Sequence, residues 1–193
     1  MNAMTIEKEY KRNKIHPQKF GMWIACASIT MMFASLSSAY IVRQAGGNWL
    51  EFRLPGVFLA STIVILLSSA ALHGSYVAFG RGSARFYKLL LLAALVLGLA
   101  FVVLQYQGWL TLQSIGVPLK TNPSGDFVYA ISGLHAAHVL GGIAALSIGV
   151  IRAFTLPFKV TPLRKRRMEL TATYWHFVDA LWVYLFAFLT FFS

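Results

Sequence analysis

Five apolar runs, at residues 20–41, 56–79, 89–110, 127–151 and 171–192, alternate along the chain with short polar stretches. Each is 22 residues or longer. About 20 residues rising roughly 1.5 Å apiece suffice to cross a hydrocarbon core of about 30 Å. The pattern therefore predicts an all-α, polytopic membrane bundle of five transmembrane helices. It forms a single transmembrane domain over 20–193, behind a polar tail at 1–19. A basic start followed by an apolar run also fits a secretory signal, and Ser37-Ser-Ala39 has the small residues of a cleavage site. An apolar stretch of 22 residues exceeds the usual 7–15 or so of such a signal, so 20–41 is read as a span.

The polar stretches carry turn and cap signals. Gly46-Gly47, with Trp49 and Phe52 at the interface, leads to Pro55, which suits the start of the second helix. Pro118, Pro123 and Gly125 mark the loop at 111–126, and Asp126 is the expected N-cap of the fourth helix. A basic loop at 152–170 precedes the fifth.

Charge sets the expected orientation. Every Lys and Arg lies outside the five runs, and of the 17, all but Arg43, Arg53 and Lys120 fall in the N-terminal tail, the second loop or the fourth loop. Cytoplasmic loops of membrane proteins carry the excess of basic residues, so the N-terminus is expected on the cytoplasmic side and the C-terminus on the far side. The net charge of +11 thereby loses its meaning as a nucleic-acid signal, being confined between spans. Apolar residues make up 58% of the chain and charged ones 12%, against about a quarter in soluble domains, which excludes an ordinary soluble enzyme. The single cysteine, Cys26, permits neither an internal disulfide nor a cysteine cluster.

What remains is a small set of polar side chains inside the spans: His73, His135, His138, His176 and Asp179. Asp179 stands out, because a carboxylate deep in a membrane helix costs roughly 2.5–3.5 kcal/mol to insert and persists only facing protein or water. Three readings are open. His135 with His138, and His176 with Asp179, are spaced i, i+3 on their helices, as ligands of one metal would be. Depth opposes a shared ion: counted along the expected spans, His138 lies roughly 20 Å from the cytoplasmic end, His176 and Asp179 roughly 8 and 12 Å. Intramembrane His and Asp also mark proton or solute pathways, but the other spans supply no acid. The third reading is structural, with these groups satisfying one another at helix contacts. Asp179 is then expected to pair with His176 or with a group from a neighbouring span at similar depth, His73 being the candidate. Gly133, Ala137, Gly141, Ala145 and Gly149 recur at every fourth position of the fourth span, a small-residue stripe expected to admit a neighbouring helix.

Two stretches carry a resemblance. Tyr174-Trp-His-Phe-Val-Asp-Ala-Leu-Trp182 and Gly133-Leu-His-Ala-Ala-His-Val-Leu-Gly-Gly142 are similar to the motifs of the last two helices of subunit III of the heme-copper terminal oxidases, the cytochrome c oxidase subunit 3 family. Phe20-Gly-Met-Trp-Ile24, Phe52-Arg-Leu-Pro55 and Leu104-Gln105 match it more weakly, and Glu169 stands where the family has an acid near the last helix. The resemblance covers all five spans, in order, and matches the short bacterial forms. Longer members carry two more helices, which form one wall of a lipid-holding cleft. The family often has a carboxylate in the first of these spans, where this chain has Ile29.

The resemblance implies a non-catalytic subunit of a respiratory oxygen reductase, supporting proton uptake and turnover stability. It implies no catalytic residue, metal or cofactor in this chain, with heme and copper in partner subunits. Family-motif and packing residues would be Gly133, His135, His138, Gly141, Glu169, Trp175, His176 and Asp179. Implied partners are the heme-bearing subunit I, subunit II, membrane phospholipids and a larger respiratory supercomplex. Quinol oxidases and a nitric-oxide-reductase-associated branch of the same family are the alternative.

Overall fold

The computed structural model describes residues 17–192. The tail at 1–19 therefore lies almost wholly outside the described residues, and residues 17–19 already belong to a helix. Five helices follow in order: α1 Pro17–Gln44, α2 Gly56–Gly80, α3 Ala84–Ser114, α4 Pro123–Thr155 and α5 Pro162–Phe192. All five are long and apolar enough to cross a membrane, as the hydropathy pattern predicts. At 31–33 residues, α3, α4 and α5 would reach about 46–50 Å, well past the hydrocarbon core, so their ends stand in the interface.

The extra length shows where hydropathy misplaces boundaries. α5 begins at Pro162 rather than 171, since the basic segment Arg164-Lys-Arg-Arg167 is helical: Lys and Arg are good helix formers, and proline suits a first turn. At the start of α4 the cap is Asn122 and not Asp126. The Asn122 side chain accepts a hydrogen bond from Ser124 N at 2.9 Å, and Pro123 takes the first helical position, where no N–H is needed. Asp126 sits one turn further in and accepts from Lys120 N at 2.6 Å, holding a residue with φ of 68°.

The helices make a ring with a flank. α2 packs on α3, α3 on α4, α4 on α5 and α5 on α2, while α1 rests in the groove between α4 and α5. α1 and α5 run parallel and are tied at both ends. Lys19 Nζ lies 2.5 Å from Glu169 Oε1, and at the opposite end Tyr40 donates to the Phe192 carbonyl at 3.0 Å. That bond satisfies one of the terminal carbonyls that every helix leaves open. The ring interior is filled by Trp175, Trp182, Phe58, Phe101, Ile65 and Leu146, each at most 1% exposed.

Candidate functional site

Two tryptophans of α5 set the geometry of the ring. The ring of Trp175 lies between α3 and α4: a Cβ added to Gly98 would fall 2.7 Å from its Cη2, and one added to Gly142 would fall 2.8 Å from its Cε3. About two turns further along, the Trp182 indole donates to Thr62 on α2 at 2.9 Å and packs against the His135 ring at 4.9 Å between centroids. Gln105 on α3 donates to Ser61 on α2 at 3.0 Å, and Ser68 of α2 donates to the Ala94 carbonyl of α3 at 2.8 Å. Polar side chains in this bundle thus join neighbouring helices, as burial away from water requires.

The small-residue stripe does not mark the closest approach. Ala137 and Gly141 are exposed and Gly133, Ala145 and Gly149 only half-buried. A Cβ on Gly141 would meet Tyr174 Oη at 3.7 Å, an ordinary contact. At 100° per residue, positions four apart drift by about 40° each step, so five of them wind across roughly 160° of the helix surface. The tight glycines are Gly142, one residue on, and Gly98, on a helix where no stripe announced it.

The four polar motif residues, expected at two depths, fall into separate neighbourhoods. His135 is fully buried among Phe33, Phe101 and Trp182, with ring centroids 6.3, 5.9 and 4.9 Å away. Neither of its nitrogens has a hydrogen-bond partner among the described residues. His138 turns toward α1: its Nδ1 donates to the Leu134 carbonyl at 2.7 Å and its ring lies 5.8 Å from Phe33. His176 faces α2, where its Nδ1 shares a hydrogen bond of 2.5 Å with Ser69 Oγ and its ring lies 6.0 Å from that of His73. The expected difference in depth is absent. Tyr174 Oη donates to the His138 carbonyl at 3.1 Å, so His138 lies alongside the same stretch of α5 as His176 and Asp179. The histidines are separated by the faces they occupy, not by height in the membrane.

Asp179 is 3% exposed, and neither carboxylate oxygen has a hydrogen-bond partner among the described residues. The expected pairing with His176 or His73 is not formed. Around α5, His176 sits about 60° to one side of Asp179, while Trp175 and Trp182 sit about 40° and 60° to the other. His176 hydrogen-bonds Ser69, and Asp179 lies between His176 and the two tryptophans around the helix, with the Ser69 side chain also beside it. Among the described residues no three His, Cys, Asp or Glu side chains come together as a metal-ligand group. Cys26 is half-buried on α1 and is not disulfide-bonded. Glu169, the acid singled out before the last span, lies inside α5 and holds Lys19.

The family model for cytochrome c oxidase subunit III matches residues 5–193. A probable cytochrome c oxidase subunit 3 of Mycobacterium bovis is 30% identical over 180 residues, covering 90% of this chain and 87% of the relative. Cytochrome c oxidase subunit 3 of Thermostichus vulcanus is 28% identical over 183 residues, 90% and 88% of the two chains. The subunit 3 of a cytochrome bo(3) ubiquinol oxidase of Buchnera aphidicola is 25% identical over 188 residues, 95% and 96% of the two. A match along nearly the whole chain, shared by relatives of the same length, means that this five-helix membrane protein belongs to the cytochrome c oxidase subunit III family.

Proposed function

We propose that the chain is a non-catalytic subunit of a respiratory heme-copper oxygen reductase, carrying no redox centre and supporting proton uptake and turnover lifetime of the heme-bearing catalytic subunit. The observation that carries this reading is how the motif polar groups are used. Thr62, Ser69 and Trp182 bond across helices, the Tyr174 hydroxyl bonds the His138 carbonyl, and His135 is walled in by aromatic rings. Side chains committed in this way hold a scaffold. A redox ligand set would need several imidazoles or carboxylates converging on one point.

In this reading heme and copper belong to subunits I and II, which pack against the chain in a bacterial inner membrane. The basic end of the bundle faces the cytoplasm. Cytochrome c is the proposed electron donor, after the printed names of the Mycobacterium and Thermostichus relatives. The Buchnera relative favours a second reading, with a quinol as donor. Affinity purification through a tag on the chain tests both. A heme signal in the reduced-minus-oxidised spectrum, with oxygen consumption driven by reduced cytochrome c, supports the first reading. Consumption driven by quinol alone selects the second, and absence of any heme in the purified material contradicts both.

A further inference from the structure

His73 departs from the rule that ionisable side chains of a membrane bundle face its interior. The 25 residues of α2 span about 38 Å, and His73 stands about 10 Å from the Gly80 end. Centred on a hydrocarbon core of about 30 Å, the helix leaves roughly 4 Å at either end, which puts His73 about 6 Å inside the core. A side chain leans toward the N-terminus of its own helix, here toward the membrane centre, so the imidazole is not carried back to the interface. It is nevertheless exposed on the outside of the ring. Its neighbour is the His176 ring, 6.0 Å away between centroids, and among the described residues no hydrogen bond reaches either of its nitrogens.

The surface around His73 has the form of a seat for a helix. Around α2, His73 lies about 40° to one side of Ser69, while the buried Ile65 and Leu72 lie about 40° and 60° to the other. Around α5, Ala187 and Ala180 lie about 20° and 40° beyond His176, on the side away from Asp179. Because Ser69 and His176 are hydrogen-bonded, these positions border one groove along the outer side of the α2–α5 contact. Along it Leu59, Ile63, Leu66, Ala70 and His73 recur at intervals of four and three residues, and all are exposed, the first three by 48–53%. Such a stripe is the spacing on which a second helix packs lengthwise. Ala70, Ala180 and Ala187 are exposed too, and small residues let the second backbone approach closely. Lipid chains would cover the leucines, but they offer the imidazole neither a donor nor an acceptor. The groove is thus complementary to a membrane helix that carries a hydrogen-bonding group at the depth of His73.

We propose that the α2–α5 groove seats a transmembrane helix of another subunit of the oxidase, one that presents a carboxyl or carboxamide group to His73. The inference rests on the chain being one subunit of a larger membrane complex, as its relatives are named. Either group accepts from the imidazole N–H, and a carboxamide also donates to the second ring nitrogen. The apolar stripe supplies contact area along the helix, and His73 fixes its height, since only one register brings the two polar groups together.

The complex purified through a tag on the chain provides the test. Benzoyl-phenylalanine in place of Leu66, activated by light, should join the chain to one other subunit, at a transmembrane segment with Asp, Glu, Asn or Gln within a turn of the crosslink. His73→Leu should lower the recovery of that subunit per tagged chain about fivefold in detergent, the effect of one interhelical hydrogen bond. It should leave the SDS-unfolding midpoint of the full chain by itself unchanged, and His73→Gln should keep most of the recovery. Crosslinks to a second copy, to lipid alone or to a segment without such a side chain would overturn the proposal, as would undiminished recovery with His73→Leu. A lowered midpoint with His73→Leu would overturn it too, assigning the imidazole to the internal fold. Heme in the unsubstituted preparation tests the subunit reading separately: heme present without the crosslink sinks this inference alone, and heme absent sinks both.

Discussion

The ring of Trp175 occupies the volume that any side chain on Gly98 would need, its Cη2 lying 2.7 Å from where a Cβ would stand. α3 and α5 sit on opposite sides of the ring, and this contact bridges them. An indole cannot fold away as a flexible chain would, so Gly98→Ala should cost about 1–3 kcal/mol by overpacking. Gly141→Ala, whose Cβ meets only the Tyr174 hydroxyl at 3.7 Å, should be neutral within about 0.5 kcal/mol. Unfolding of the two purified variants in increasing SDS distinguishes them, and equal midpoints would refute the assigned geometry.

The five helices were legible because membrane spanning is a question of length and polarity, which a single sequence displays. Their ends were not, because α5 reaches back to Pro162 through a basic segment that hydropathy scores as loop. The partners of the motif residues were hidden for another reason. His176 finds Ser69, 107 residues away, and Trp175 finds Gly98; both depend on the register between helices, which side-chain packing decides. His135 and Asp179 were recognisable as unusual, but the faces that keep them apart emerge only once the helices are in place.

Asp179 holds a buried carboxylate with no hydrogen-bond partner among the described residues. Removing the charge at constant shape should therefore not harm the isolated fold. Asp179→Asn is expected to leave the SDS-unfolding midpoint unchanged or raise it, by up to about 2 kcal/mol. A midpoint lowered by more than about 1 kcal/mol would show that the carboxylate is satisfied in the folded chain.

Ser69→Ala removes the hydroxyl bonded to His176 and leaves that ring nitrogen half-buried without a partner, at a cost of about 1–2 kcal/mol. Glu169→Gln breaks an ion pair whose side chains are 36% and 40% exposed, and should cost less than about 1 kcal/mol. The order of the two effects, read from the same unfolding assay, is the prediction; a larger loss from Glu169→Gln would reverse it.

Orientation is open to direct assay. Reporter fusions at Gly82, in the α2–α3 turn, and at Asn122, the cap of α4, should report opposite sides of the membrane, with Gly82 cytoplasmic. Both fusions reporting one side would contradict the five-span topology.

In the proposed function, electrons bypass this chain while the complex depends on it for endurance. The direct measurement is to deplete the chain from the purified oxidase, record the reduced-minus-oxidised heme spectrum, and follow oxygen consumption through many turnovers. An intact heme spectrum and a near-normal initial rate are expected, followed by inactivation that progresses with turnover number and slower proton uptake. Immediate loss of the heme signal, or activity undiminished after many turnovers, would contradict it.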